Sequence, residues 1–378
     1  MIKIAIAGDF CPRHRLVPLI KNKEYEKVLG EVKAFFNNFD LSIVNLEAPC
    51  VTGEGKAILK DGPSLKCTEE AVEALQYAGV DVVTLANNHL NDYGAAGVLN
   101  TIKTCEHYNI GFVGAGANEQ KASEIYYQVI KGKRLAIINC CEHEFSIATN
   151  STPGANHISS IKIYNQISEA KNKSDYIVVI THGGHEHYQL PSPRMKELFR
   201  FFIDAGADAV VNHHQHCISG YEIYKGKPIA YGIGNFCFDR ANTVDDMWND
   251  GMIACLELQE SNVSLELKPF MQCSHHPVVE FSQAIENRVL SEVASLSEII
   301  ADDDKLQQMF QSFVATKQKQ YTLPFEPYGG RILSALYRKK LLPSFLSKKK
   351  SIRNYGFMLC ESHFDIVKYW LAKKVNKQ

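Results

Sequence analysis

Asn212-His213-His214-Gln215-His216 follows the run Ala207-Asp208-Ala209-Val210-Val211, and Thr181-His182-Gly183-Gly184-His185-Glu186-His187 follows Tyr176-Ile177-Val178-Val179-Ile180. Six of the fourteen histidines lie in these two clusters. Short Val- and Ile-rich runs of this kind read as buried strands, so both clusters leave strand ends. Neutral imidazole is the commonest protein ligand for Zn, Mn, Fe and Ni ions. Alternate residues of an extended segment face the same way, so His214 and His216 read as facing one centre. Histidines at the ends of two strands point to a metal site.

Upstream, the chain repeats the pattern with other donors. Ile2 to Ala7 reads as a buried strand with Asp9 at its exit, Asp40 to Leu46 as a second that delivers Glu47, and Val80 to Ala86 as a third that ends in Asn87-Asn88-His89. Helical spacing falls between them, over Leu16 to Phe39, from Thr68 to the closing Gly79, and over Ala95 to Tyr108. Residues 48–66 are rich in Gly, Pro, Lys and Thr and read as a surface loop bordering a site. Apolar runs either side of Lys131-Gly132-Lys133 and of Lys225-Gly226-Lys227-Pro228 predict hairpins. Alternating strands and helices with edge hairpins give an α/β class, a layered β-sandwich flanked by helices. Beyond residue 280 the pattern becomes helical. Gln283 to Phe313 is helical in character, and a final amphipathic helix is expected with Phe364, Val367, Trp370 and Leu371 on one face. The division is thus 1–280 for the site-bearing domain and 281–378 for a basic, helical C-terminal extension.

The 378 residues are 45% hydrophobic and 22% charged, an ordinary globular balance with apolar material for a large core. A net charge of −1 conceals an asymmetry, for residues 320–378 carry 12 Lys and Arg against 3 Asp and Glu. That tail predicts an anionic membrane surface or an acidic partner, while the acidic body argues against a nucleic-acid phosphate groove. No stretch approaches the roughly 20 apolar residues that span a bilayer, and Met1 to Asp9 reads as a first strand and not a signal peptide. A cytoplasmic protein, peripheral to the inner membrane face, is the expectation. Eleven scattered cysteines without a C-x-x-C pair read as buried thiols.

In chain order the strand-exit residues are Asp9, Glu47, Asn88-His89, His182, His214 and His216. Carboxylates, an amide and imidazoles together suit two divalent ions, of Mn, Zn or Fe, which in such sites activate a water and stabilise a displacement. The chain resembles the CapA family, the capsule and poly-γ-glutamate biosynthesis proteins built on the calcineurin-like metallophosphatase fold. The resemblance rests on Gly8-Asp9, Asn45-Leu46-Glu47-Ala48-Pro49, Leu85-Ala86-Asn87-Asn88-His89 with Asp92-Tyr93-Gly94, Gly114-Ala115-Gly116, His182-Gly183-Gly184-His185-Glu186, His213-His214-Gln215-His216 and Gly232-Ile233-Gly234-Asn235-Phe236.

That resemblance implies that Asp9, Glu47 and His216 hold one metal and that Glu47, Asn88, His182 and His214 hold the other, with Glu47 as the bridge. It implies His89 as the proton donor to a leaving group, and Glu186 as a residue that orients a ligand or contacts substrate. His185, His187, His213, Asn235 and Arg13 are expected to face the substrate, a surface polymer or its precursor. Where the fold family has a His two residues after the first Asp, this chain has Cys11. The function implied is a metal-dependent hydrolase of a phosphoester, or of a γ-glutamyl or other amide, or an acyl-transfer enzyme. The alternative is a non-catalytic accessory subunit of a membrane-bound capsule or polymer synthase.

Overall fold

A computed structural model describes residues 1–60, 62–240, 246–260 and 262–359, with Val367 and Leu371. In chain order the first strands are β1 (Ile2–Cys11), β2 (Leu41–Leu46), β3 (Val82–Thr84), β4 (Gly111–Val113), β5 (Ala115–Gly116), β6 (Tyr126–Ile130), β7 (Lys133–Cys141) and β8 (Gly154–Ala155). They are followed by β9 (Tyr176–His182), β10 (Ala209–His213), β11 (Tyr221–Tyr224), β12 (Lys227–Ala230), β13 (Asn235–Phe238), β14 (Asp250–Gln259), β15 (Asn262–Gln272) and β16 (Val279–Glu280). One large sheet runs β16-β15-β14-β1-β2-β3-β4 with β13 beside the end of β1, a second runs β11-β12-β10-β9-β7-β6, and β5 and β8 form a small antiparallel pair. The central strands β1 to β4 are parallel to one another, as are β7, β9, β10 and β12.

Strand alternation decides which side chains fill which layer. Ile2, Ile4 and Ile6 share one core with Ile43 of the same sheet and with Ile137, Val178, Ile180 and Val211 of the other, so this core lies between the sheets. Ala5 and Ala7 turn the opposite way and pack with Val28, Leu29, Leu75 and Val98 from three helices, Tyr25–Phe36, Glu69–Tyr77 and Gly94–His107. Helices Ser160–Lys171 and Pro193–Ala205 cover the outside of the second sheet. The result is helix, sheet, sheet, helix, the layered α/β sandwich expected. Each fully buried Ile or Val contributes about 1.5–3 kcal/mol of transfer free energy, so this double core supplies the main favourable term.

Local chemistry sets the element ends. Ser192 accepts a hydrogen bond from the Met195 N–H, Pro193 opens the helix, and Gly206 closes it at φ 124°. Both predicted hairpin turns form, with Lys131 and Gly132 at φ 50° and 78° and Lys225 and Gly226 at 52° and 79°, the twist that two-residue hairpins need.

The helical stretch Gln283 to Phe313 forms two helices, Gln283–Ala301 and Asp303–Thr322, because Asp302 adopts an extended backbone and its carboxylate caps the second helix through the Lys305 N–H at 3.0 Å. One expectation changes. The body does not end at residue 280: Ile285, Val289 and Val293 insert into the core between the sheets, so the compact unit runs Met1–Gln308. The second unit, Met309–Gln378, contains helices Arg331–Arg338 and Lys348–Leu359. The expected final helix lies outside the described residues except at Val367 and Leu371. Among the described residues no helix is long and apolar enough to cross a membrane, and ten buried cysteines are free.

A Cβ at Gly8 would lie 1.9 Å from the Gly234 carbonyl oxygen, a backbone atom that joins β1 to the loop entering β13. Gly8→Ala should therefore cost about 3 kcal/mol or more in urea unfolding, at the upper end for overpacking. Gly226→Ala, with open space around its Cβ but a left-handed φ, should cost about 1–2 kcal/mol; equal losses for the two would refute the close approach.

Candidate metal centre

All the chemistry-bearing strands end at the same edge of the sandwich. Asp9 is near the end of β1, Glu47 follows β2, Asn87-Asn88-His89 lies beyond β3, His182 ends β9, and His213 ends β10. This is the crevice outside the carboxyl ends of parallel strands, the usual place for a site in such sheets. Two register shifts flank Asp9, one in its pairing with β2 and one with β13, and they aim its carboxylate out of the ladder. His213 pairs in register with His182, so the second sheet delivers two imidazoles side by side.

The geometry is compact. Asp9 Oδ1 lies 3.0 Å from His213 Nδ1, and Asp9 Oδ2 lies 3.4 Å from His216 Nδ1. Asn45 Nδ2 donates to Asp9 Oδ1 at 2.8 Å, and the His214 backbone N–H donates to Oδ2 at 3.2 Å. His182 Nε2 stands 3.0 Å from both His214 Nδ1 and Asn88 Oδ1. Glu47 Oε1 is 3.8 Å from His182 Nε2 and 3.7 Å from His216 Nε2. Three overlapping sets, Asp9/His182/His213, Glu47/His182/His214 and Asp9/Glu47/His216, each hold their donor atoms within 4.8 Å of one another.

Burial governs the protonation states. It holds His182 well below the ordinary histidine range and pushes His214 down to about 3, leaving lone pairs for a ligand role. Burial, followed by the charge of Asp9, drives the Glu47 carboxyl well above the ordinary range. For Asp9 burial acts upward too, yet His213, His216 and His182 overcome it and hold the group well below its usual value. Glu47 is wholly buried, and neither of its carboxylate oxygens has a hydrogen-bond partner among the described residues; His213 Nε2 lacks one as well. A buried carboxylate left so costs several kcal/mol, which a divalent cation among these oxygens and nitrogens would remove. The donor set fits such an ion.

His89 sits at the margin. Its Nδ1 lies 2.7 Å from Asp92 Oδ2 and 3.2 Å from Lys60 Nζ, while Nε2 points inward, 4.0 Å from Glu47 Oε1. Lys60 is paired with Asp92 Oδ1 and its side chain is 4% exposed. Asp92 also accepts hydrogen bonds from the Leu65 N–H through its carboxylate and from the Ile58 N–H through its carbonyl. The 48–66 segment thus folds inward at Lys60 and is more than a surface loop. Nothing in its composition signals this, whereas Asn45 and Asp92 stand inside the family-like stretches already quoted.

The remaining candidates divide. His213, expected to face substrate, lies against Asp9: His214 has φ 110° and His216 has φ 56°, and this departure from strand geometry lets His213, His214 and His216 all reach the centre. Such conformations cost about 1–3 kcal/mol each and persist where the surroundings impose them. Asn235 is fully buried and does not line an open mouth; its Oδ1 is 2.9 Å from His216 Nδ1, and its Nδ2 donates to the Trp248 carbonyl. Glu186 and His187 are exposed, and the His187 ring stands 5.8 Å from Trp248. His185 is half-buried with its ring 6.5 Å from that of Tyr188, and the half-buried Arg13 guanidinium is 6.0 Å from the Phe238 ring. Cys11 is buried, burial and the Glu47 charge push its thiol well up, and it belongs to none of the three donor sets.

This two-sheet sandwich gathers carboxylates and imidazoles at its strand ends. The chain belongs to the bacterial capsule synthesis protein family PGA_cap, whose family model matches residues 3–240. It is 34% identical over 250 residues to the capsule biosynthesis protein CapA of Bacillus anthracis, covering 64% of this chain and 61% of that protein. It is 30% identical over 246 residues to the PGA biosynthesis protein CapA of Bacillus subtilis, covering 64% of this chain and 65% of the relative. The chain therefore matches less than two thirds of the length of either. Among solved structures, a 5'-nucleotidase precursor from Thermus thermophilus aligns with a TM-score of 0.44 at 10% identity, over 79% of this chain and 59% of that one.

His214→Ala should remove at least one equivalent of bound transition metal in elemental analysis of untagged protein, whereas His276→Ala, at an exposed loop position, should change nothing. Equal metal content in the two variants would defeat the assignment of the centre.

Proposed function

We propose that the protein is a metal-dependent hydrolase acting in capsule, surface-polysaccharide or poly-γ-glutamate biosynthesis, on a phosphoester or on a γ-glutamyl or other amide bond, or by acyl transfer. The observation that carries this reading is Glu47, buried without a hydrogen bond among the described residues and ringed by imidazole nitrogens. Asp9, Glu47, Asn88, His182, His214 and His216 hold one or two divalent ions, with His213 beside Asp9 as a further donor. A bound divalent ion would supply Lewis-acid polarisation and an activated water. Asn45 and Asn235 keep Asp9 and His216 in orientation, the part that outer groups play around metal ligands.

His89 has the placement of a proton donor. Asp92 holds its Nδ1, which leaves Nε2 directed at the centre where a leaving group would depart. Glu186, His185, His187 and Arg13 are the groups that a polymer chain would meet on approach. One feature favours a second reading, a non-catalytic accessory subunit of a polymer synthase: Cys11, outside the three donor sets, stands where the fold family places a ligand histidine.

Protein loaded with Mn or Zn should turn over aryl phosphoesters or γ-glutamyl anilides. His89→Gln should then lower kcat by about 10²–10⁴-fold with metal content unchanged, the range for a lost proton-transfer group. A fully metal-loaded protein inert towards both substrate classes would sink the hydrolase reading in favour of the accessory one.

A further inference from the structure

The second unit has a surface unlike that of the body. Between residues 309 and 359 there are ten Lys and Arg and one acid, Glu326. That acid is spent internally: its carboxylate accepts hydrogen bonds from the Tyr337 hydroxyl at 2.9 Å, the Phe345 N–H at 2.8 Å and the Ser344 hydroxyl, and so ties residues 344–345 to the helix Arg331–Arg338. No other carboxylate in this stretch offsets the cations. Among them stand large apolar side chains facing solvent, with Ile332 77%, Leu341 66%, Phe345 58% and Ile352 64% exposed.

The helical spacing sorts the two kinds in the first of the two helices. Around Arg331–Arg338, Ile332, Leu333 and Leu336 fall on one side, and Arg331, Ser334 and Arg338 on the other. In Lys348–Leu359 the two kinds interleave, with Ile352 and Tyr355 on the same side as Lys348 and Lys349. We propose that this unit docks in the plane of an anionic lipid bilayer, its aliphatic and aromatic side chains entering the headgroup region and its Lys and Arg meeting lipid phosphates. The alternatives fit less well. A nucleic-acid backbone offers no place for Ile332, Leu341 and Phe345, and a protein partner would have to match each of these side chains and the cations among them in shape. A bilayer interface takes apolar chains and cations together without shape matching. The proposal does not depend on the hydrolase reading, since none of its residues belongs to the metal centre.

The test is flotation of the full-length protein with vesicles of phosphatidylcholine alone or with about 30% phosphatidylglycerol, whose anionic surface attracts each nearby Lys or Arg. Binding should be at least about tenfold greater on the anionic vesicles and should fall about tenfold in 0.5 M NaCl, where such attraction is screened. Lys339→Glu/Lys340→Glu/Lys349→Glu should lose binding, and Ile332→Ser/Leu341→Ser should lose about fivefold or more with an unchanged melting temperature, because both side chains are exposed. His214→Ala should bind vesicles as the native protein does. Equal binding to neutral vesicles, or none to either, would overturn the proposal. So would undiminished binding by the Ile332/Leu341 variant, which would make the surface a general polyanion binder.

Discussion

The structure turns on one unfavourable act, the removal of Glu47 from water with no hydrogen bond to replace it among the described residues. A carboxylate in that position is tolerable only with counter-charge or a proton, and the neighbouring Asp9 supplies neither. Asp9 is already committed to Asn45, to the His214 backbone and to His213. The two acids consequently respond in opposite directions, Asp9 held low by its imidazole partners and Glu47 driven high. Residue types that would each be solvated on a surface are here gathered in a region with little water, and that makes them competent for a cation.

Two sheets are needed to assemble this region. The first contributes Asp9, Glu47 and Asn88 from consecutive parallel strand ends, and the second contributes His182, His213, His214 and His216. The core between them, with Ile4 and Ile6 on one side and Val178 and Ile180 on the other, fixes the spacing at which carboxylates meet imidazoles. Disturbing that apolar contact would displace the donors carried on the same strands. Stability and ligand geometry are therefore carried by the same side chains at two distances from the centre.

Much of this was legible in the chain because period-two apolar runs and strand-exit polar residues are local signals. Asp9, Glu47, Asn88, His182, His214 and His216 all lie at strand ends read from such runs. The role of His213 was not legible, for alternation sends it away from His214, and only the positive φ of His214 brings both to the centre. Asn235, expected to face substrate, is fully buried against His216, a depth that sequence alone does not measure. Asp302 breaks a helix whose apolar spacing runs on through it, and Ile285, Val289 and Val293 carry the body past residue 280 because their periodicity says helix without saying what the helix covers.

Asp92 has a consequence of a mechanical kind. Its one carboxylate grips the loop through Lys60 and the Leu65 N–H and grips the His89 ring as well. A displacement that pulls the loop from this anchor must also release the ring or turn it. The positions of Lys60 and Leu65 and the pose of the inward-facing nitrogen are thus geared together, as a latch is to its bolt.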